Sequence, residues 1–290
     1  MGHSYDQRFA RQICDFGRYS HILDMDENLT RLGLIDEEAI VLDEAALALA
    51  LLDNRETDLD PYRSVLAGID LRLRDVAPDA TSPHARADAL SLVLNGEFGF
   101  TGDRGTYDDP VNADLIRVID RRRGLPISLS ILYVAAARRL GWTANVLDLP
   151  GHVLVLIGEL ADSVMIDPFR DGTLVHAEQL VARLSASPIP PTSDVVEVPA
   201  MPNRAILVRL LLNQAVRAEE GGRGRRALEL YRRITAFAPD NAHAWWQRAR
   251  LELVDQDIAA TRRSLAAMLE VTRQPALRVT ITETLEALVA

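Results

Sequence analysis

Lysine is absent from this chain of 290 residues, and all 32 of its basic residues are arginine. The absence excludes a phosphate-loop lysine, a Schiff-base lysine and a lysine general base. Cysteine is nearly absent as well: Cys14 stands alone, which excludes an internal disulfide and a zinc site built from cysteines. The histidines show no paired ligand spacing either, so we expect no metal and no cofactor.

Long apolar runs are also absent. The longest lies near residues 45–52, far short of the roughly 20 residues that span a bilayer. Residues 1–17 carry scattered charges and no apolar stretch, which is not the pattern of a signal peptide. We therefore expect no membrane partner and a cytoplasmic location.

The charge of the chain is acidic and uneven. The net charge is −10, with 42 acidic residues, yet residues 203–290 carry 14 arginines against 10 acidic side chains. Nucleic acids and anionic membranes bind proteins through basic side chains that neutralise phosphate, so an acidic body repels both. The sequence therefore predicts no nucleic-acid partner.

Hydrophobic spacing predicts a mixed helix and strand pattern. Helices are expected at 36–53, 60–75, 84–95 and 114–123. Pro126-Ile127-Ser128 precedes a strongly apolar helix that runs to Leu140, with Ser128 as its candidate N-cap. Strands are expected at 142–149, 152–157 and 163–169, before a proline-rich link at 187–202.

The last two strand patterns read as a hairpin with residues 158–161 as its loop. With this loop, His152 would lie directly opposite Asp167, with Cβ atoms about 5 Å apart. An aspartate beside a histidine fixes the tautomer of the imidazole and stabilises its cation. The pair is thus a candidate catalytic pair, and the alternative is a structural pair that closes the end of the hairpin.

Two side chains are candidate nucleophiles for such a pair. Ser128 lies at the predicted start of a helix, where an oxyanion would be stabilised, but its hydroxyl can equally serve only as a cap. Cys14 precedes His152 by 138 residues, a separation also seen in papain-like proteases. It lacks the local sequence of those enzymes, so the alternative is a buried or incidental thiol.

The segment 96–112 is rich in glycine, aspartate and proline and is predicted to be a long surface loop. Within it, Tyr107, Asp109 and Asn112 are candidate binding residues, since long ordered loops are often functional. The alternative is a connector held by hydrogen bonds from its own Asp and Asn side chains.

The C-terminal residues repeat with a period of 34. The shift superposes four apolar pairs: Leu211 on Trp245, Ala215 on Ala249, Tyr231 on Leu265 and Ile234 on Met268. This period, with Ala227, Tyr231 and Pro239 in the first copy, is typical of tetratricopeptide repeats, and a generic stack of helical hairpins is the alternative. Trp245 and Trp246 are candidate binding residues here.

Five motifs together resemble the SirB-type branch of the transglutaminase-like superfamily. They are GEFGFTG, TYDDPVNADL, VIDRRRGLPISLSILYVAAARRLGW, LPGHVLVL and MIDPF. The resemblance covers about residues 36–290 and implies an α+β, papain-like core of helices packed on an antiparallel sheet, followed by all-α tetratricopeptide-like repeats. The expected domains are an extension at 1–35, a transglutaminase-like domain at 36–198 and repeats at 199–290.

The resemblance also implies roles for individual residues. In catalytic members a cysteine begins the central helix, and the matching segment here reads Pro126-Ile127-Ser128. The histidine and aspartate positions match His152 and Asp167. We therefore expect a non-catalytic, pseudoenzyme-like module that binds a protein or peptide. The alternative is a hydrolase or acyltransferase on an amide or ester bond, using Ser128, His152 and Asp167.

Overall fold

The computed structural model describes residues 25–149, 152–159, 162–176 and 199–288. These residues form two compact units, one of residues 41–207 and one of residues 25–40 together with 208–288. Cys14 and most of the predicted proline-rich link lie outside the described residues. The predicted domain boundaries after residues 35 and 198 remain a prediction.

Helices dominate the described chain, and a small sheet lies between residues 144 and 175. The helices are α1 (Met25–Leu34), α2 (Leu42–Leu51), α3 (Asp60–Val76), α4 (Pro83–Leu90), α5 (Leu115–Arg121), α6 (Pro126–Arg139), α7 (Asn203–Glu220), α8 (Gly224–Phe237), α9 (Ala242–Val254), α10 (Ile258–Val271) and α11 (Pro275–Ala287). The strands are β1 (Thr101–Gly102), β2 (Arg123–Gly124), β3 (Ala144–Leu149), β4 (His152–Glu159), β5 (Asp162–Asp167) and β6 (Thr173–Val175).

Helix α6 is the centre of the unit formed by residues 41–207. Pro126 occupies its first turn, where the missing N–H is tolerated, and every residue from 126 to 137 is buried. Such a helix is apolar on all sides because it packs against neighbours all round. The neighbours are β3 and β4 on the sheet and the helices α2, α3 and α4.

The main sheet is an antiparallel meander in the order β3-β4-β5-β6. Alternating apolar residues of its strands form a core with Leu147, Leu149 and Leu154, against which Leu156, Met165 and Val175 pack. A second, two-stranded sheet joins β1 and β2 in parallel, pairing Thr101 with Arg123 and Gly102 with Gly124. Helices on an antiparallel sheet confirm the predicted α+β class.

The unit formed by 25–40 and 208–288 is wholly helical in the described residues. Helix α1 packs against α8, and α8 to α11 follow one another as neighbours. Tyr231 donates a hydrogen bond to Glu219 at 2.8 Å, and Ser264 donates one to the buried Glu252 at 2.6 Å. An all-helical region follows the core as predicted, and its assignment to tetratricopeptide-like repeats remains a prediction.

Within the described residues, no helix has the length and hydrophobicity needed to cross a membrane.

Candidate functional site

His152 and Asp167 meet at the ends of two neighbouring strands. His152 Nε2 lies 2.7 Å from Asp167 Oδ2, and the Asp167 side chain is almost fully buried. Asp167 Oδ1 accepts the backbone N–H groups of Phe169 and Arg170, so the same side chain also caps the turn that follows β5. An ionised carboxylate only accepts, so Nε2 carries the proton. His152 Nδ1 has no hydrogen bond to any described residue.

The register of the β4–β5 hairpin differs from the predicted one. Val155 pairs with Ile166 and Glu159 with Asp162, so Gly158 and Glu159 continue the strand and the predicted loop 158–161 is wrong. The pairing is shifted by two residues, and side chains alternate with a period of two, so each side chain keeps its face. His152 and Asp167 are therefore diagonal neighbours, within reach of each other's side chains.

Ser128 lies inside the first turn of α6. The residue preceding the helix is Leu125, so the prediction of Ser128 as the N-cap is wrong. The Ser128 side chain is fully buried, and its Oγ donates a hydrogen bond of 2.6 Å to the carbonyl oxygen of Asn112. Among the described residues no hydrogen bond joins Ser128 to His152, so the hydroxyl proton is directed away from the imidazole.

Asn112 and Asp109 hold the loop together from within. The buried Asn112 donates through Nδ2 to the carbonyl of Thr106 at 2.6 Å and accepts from Arg121 at 2.7 Å. Arg121 also donates to the buried Asp103 at 2.6 Å. Burial raises the pKa of Asp103, but hydrogen bonds from Thr106 and Arg121 outweigh it and hold the pKa below its usual value. The Asp109 carboxylate caps the short turn that contains Asn112.

Tyr107 is 39% exposed and contacts Phe169, which follows Asp167 by two residues. Its ring meets the ring of Phe169 edge-on, with centroids 5.6 Å apart. Phe169 lies so close to β1 that a Cβ at position 102 would overlap its carbonyl oxygen, and Gly102 allows this approach. The two rings therefore form an accessible aromatic pair next to the capped turn.

Sequence reasoning missed the residues that fix this turn. Asp171 accepts hydrogen bonds from Thr101 Oγ1 at 2.6 Å and Asn95 Nδ2 at 3.3 Å, and it pairs with Arg104 at 3.3 Å. Asn95 lies in a π-helix, Ser91–Glu97, that extends α4, an irregularity frequent at functional sites. The one available signal was the Asp-Gly dipeptide that ends the motif IDPFRDG, which is typical of a turn.

Tyr133 contributes a second polar group that the sequence did not single out. Its hydroxyl is buried and has no hydrogen bond to a described residue. Burial raises the pKa of Tyr133, and the negative charges of Asp171 and Asp167 add to the rise. A Cβ at Gly172 would come within 2.9 Å of this hydroxyl, so the turn packs directly on α6.

The other predicted site residues lie elsewhere. Trp245 is partly buried on α9, where its Nε1 donates to the carbonyl of Pro239 at 2.7 Å and Arg248 covers its ring. Trp246 is 37% exposed. Cys14 lies outside the described residues. Among the described side chains, no group of three or more metal-ligating residues is suited to hold an ion.

Comparison with known families gives a match at the core unit. The family described as "Transglutaminase-like superfamily" matches residues 60–212 of this chain. These residues include α3 to α6, the main sheet and the His152–Asp167 pair. A UPF0162 protein of Xylella fastidiosa is 33% identical over 161 residues, which are 54% of this chain and 57% of the relative. The matched segment thus spans little more than half the length of that relative.

Two further likenesses are more limited. Human F-box only protein 21 is 35% identical over 82 residues, which are 28% of this chain and 13% of that protein. A crystal structure of menin covers 85% of this chain and 70% of its own at 11% identity, with a TM-score of 0.38. A TM-score this low supports no inference about fold or function.

Proposed function

Because the chain belongs to the transglutaminase-like superfamily, we propose that it is a non-catalytic member whose core binds a protein or peptide. In this proposal the chain is a SirB-type protein, with a transglutaminase-like core and tetratricopeptide-like repeats, and it acts in the cytoplasm. The binding surface comprises Tyr107 and Phe169, with His152 and Asp167 as the scaffold behind them.

The state of Ser128 carries this proposal. A serine nucleophile needs its proton to point at a general base. Here the hydroxyl is fully buried and donates to the carbonyl of Asn112 at 2.6 Å. Attack would require breaking this hydrogen bond and moving the start of α6, which is buried on all sides. The position matched to the nucleophile therefore supports the fold instead of a reaction.

The His152–Asp167 pair has a structural task that explains its presence without catalysis. Asp167 caps the turn 168–170 and holds His152, so one buried carboxylate joins the ends of β4 and β5 to that turn. The turn carries Phe169, which contacts the exposed Tyr107. Tyrosine and phenylalanine are enriched at protein interfaces, and rigid support raises their value as anchors.

Site-specific photocrosslinking tests the proposal. A photoreactive phenylalanine replaces Tyr107 in one variant and Leu71, 66% exposed on α3, in the control variant. We expect one partner to crosslink from position 107 and not from position 71. The purified partner should then bind Tyr107→Ala about tenfold more weakly than wild type, the loss of one interface anchor. Equal capture from both positions, or equal affinity, would contradict the proposal.

A hydrolase or acyltransferase acting on an amide or ester is the second candidate function. It is favoured by the 2.7 Å contact between His152 and Asp167, which leaves His152 Nδ1 uncommitted among the described residues. In this version the base is His152, and the nucleophile is Ser128 after rearrangement, or Cys14. Ester turnover should then vanish in His152→Ala and in either Ser128→Ala or Cys14→Ala. Turnover that is absent in wild type removes this candidate.

A further inference from the structure

Three exposed arginines lie on the turn that carries Phe169 or at the small sheet of β1 and β2, and β1 packs on that turn. Arg170 lies on the turn itself and is 61% exposed, and Arg104 follows β1 and is 60% exposed. Arg123 is the first residue of β2 and is also exposed. All three belong to the unit of residues 41–207.

Ion pairs, a hydrogen bond and strand pairing bring the three arginines to one face. Arg170 Nε lies 3.7 Å from Asp167 Oδ2, and Arg104 lies 3.3 Å from Asp171. Arg123 pairs with Thr101 in parallel register, so the two side chains leave the small sheet on the same side. Thr101 Oγ1 reaches Asp171, which places Arg123 on the face where that aspartate lies.

The guanidinium groups keep most of their binding capacity. The Arg123 and Arg170 side chains have no hydrogen bond to a described residue, and Arg104 has one. A guanidinium carries five N–H donors, and its planar fork fits a carboxylate. The surface therefore presents donors for anions that the described residues leave unused.

The carboxylates at this face are already engaged. Asp167 is buried and accepts from two backbone N–H groups and from His152. Asp171 accepts from Thr101, Asn95 and Arg104, and Asp108 has an interaction of its own. The three carboxylates offset the charge of the three arginines, so the face would attract an anion through its exposed guanidinium donors and not through a net positive charge.

We propose that Arg104, Arg123 and Arg170 bind the carboxylates of an acidic peptide segment whose apolar residue packs on the Tyr107–Phe169 pair. The inference rests on the proposed function and names the chemistry of its partner. A peptide fits better than a nucleic acid, because an acidic body repels a long polyanion while three arginines can pair with a few carboxylates. We call the surface formed by these three arginines together with Tyr107 and Phe169 the arginine face.

Fluorescence anisotropy with synthetic peptides tests the arginine face on the full chain. The probe is a labelled peptide of Asp, Glu and one Phe, and its twin replaces each acid by its amide. We expect the acidic peptide to bind at least about tenfold more tightly than its twin, and salt to weaken it. The triple variant R104Q/R123Q/R170Q should lose roughly tenfold in affinity, since three exposed ion pairs each contribute modestly.

Matched controls separate the arginine face from overall charge. Arg117 is 52% exposed on α5, pairs with Asp120 at 3.9 Å and is not part of the arginine face, so Arg117→Gln should bind the acidic peptide as wild type does. If the triple variant folds poorly by circular dichroism, Arg123→Glu alone replaces it, since Arg123 has no described hydrogen bond to lose.

Three outcomes would overturn the inference. The first is equal binding of both peptides, and the second is undiminished binding by the triple variant or by its replacement Arg123→Glu. The third is equally tight binding of a single-stranded oligonucleotide, which would indicate a general polyanion site. These failures are distinguishable from failure of the proposed function. If a partner crosslinks from position 107 and binds the arginine variants as tightly as wild type, the proposed protein binding stands. Only the inference that the partner is an acidic peptide is then contradicted.

Discussion

At the scale of single residues, the direction of one hydroxyl proton distinguishes the two proposed functions, non-catalytic binding and acyl transfer or hydrolysis. The resemblance predicts that Ser128 stands at the nucleophile position of the superfamily, yet its proton is donated to the carbonyl of Asn112. The sequence identified Ser128, His152 and Asp167 as candidates because residue type and spacing are local information. The partner of Ser128 lies 16 residues away and depends on how the loop folds, which spacing alone does not encode.

Replacing Ser128 by alanine tests this assignment. A buried hydrogen bond contributes about 1 kcal/mol, so we expect Ser128→Ala to lower the free energy of unfolding by roughly that amount. Urea unfolding monitored by circular dichroism measures the change. Ser64, exposed on α3 with a hydrogen bond to the Asp60 carbonyl, is the matched control, and Ser64→Ala should stay within about 0.5 kcal/mol of wild type. If Ser128→Ala had the same free energy of unfolding as wild type, the hydrogen bond between Ser128 and Asn112 would not be formed.

Asp70 should make stability depend on pH. Burial raises the pKa of Asp70 to about 6 from 3.8, against the opposing charge of Arg139, which lies 3.6 Å away and also pairs with the buried Asp43. Between these pKa values the folded state binds the additional proton, so the free energy of unfolding should rise as pH falls from 7 towards 4.

Asp70→Asn should flatten that rise, as chemical unfolding at pH 5 and pH 7 would show. Asp75→Asn is the control, because Asp75 is 71% exposed on the same helix, and it should keep the wild-type profile. An Asp70→Asn profile equal to that of wild type would refute the assignment.

At the scale of elements, local signals decided what the sequence could predict. Helix α3 was predicted from Asp60 and begins there, because Pro61 in its first turn and the apolar spacing are both local. The β4–β5 register was not predicted correctly, because Gly158 extends the strand with φ of +102° instead of starting a loop. The π-helix Ser91–Glu97 and strand β6 had no distinctive local pattern, and both depend on contacts made around Asp171 and Gly172.

Two glycines of similar backbone conformation allow the destabilising effect of backbone strain to be measured apart from that of overpacking. Gly99 and Gly172 have φ of +75° and +72°, but a Cβ at Gly99 would meet nothing within 4 Å, whereas one at Gly172 would overlap Ser91 and approach Tyr133. Gly99→Ala should lower stability by about 1 kcal/mol from backbone strain alone. Gly172→Ala should lower it by a further 1–3 kcal/mol or so, the usual effect of overpacking, as measured by urea unfolding. Equal effects would mean that the turn does not pack on α6 as described.

At the scale of the whole molecule, the sequence predicted a mixed core followed by a helical region. It did not predict which of the two units contains the first helix. Helix α1 lies in the compact unit of residues 208–288, although it is far from them in sequence. Gly33 is so close to α8 that a Cβ would come within 3.1 Å of the Ala236 carbonyl oxygen. Residues 1–35 have weak local patterning, and only this long-range packing identifies the partner of α1.

Two leucines of α1 test that packing. Leu32 is 2% exposed and Leu34 is 79% exposed. Leu32→Ala should destabilise the helical unit by about 2–4 kcal/mol, because it leaves a cavity in a packed core, while Leu34→Ala should change stability by less than about 0.5 kcal/mol. Hydrogen exchange of α8 amides measures the effect in place. Similar exchange rates in the two variants would contradict the position of α1.

The central claim, that this superfamily member binds without catalysing, is tested most directly by intact-mass spectrometry of the full chain after treatment with serine- and cysteine-directed acylating probes. Because the Ser128 proton is held by Asn112 and the side chain is buried, we predict no adduct on Ser128 in wild type or in His152→Ala. A covalent adduct on Ser128 or Cys14 that forms in wild type and disappears in His152→Ala would contradict the account and establish an active acyl-transfer site.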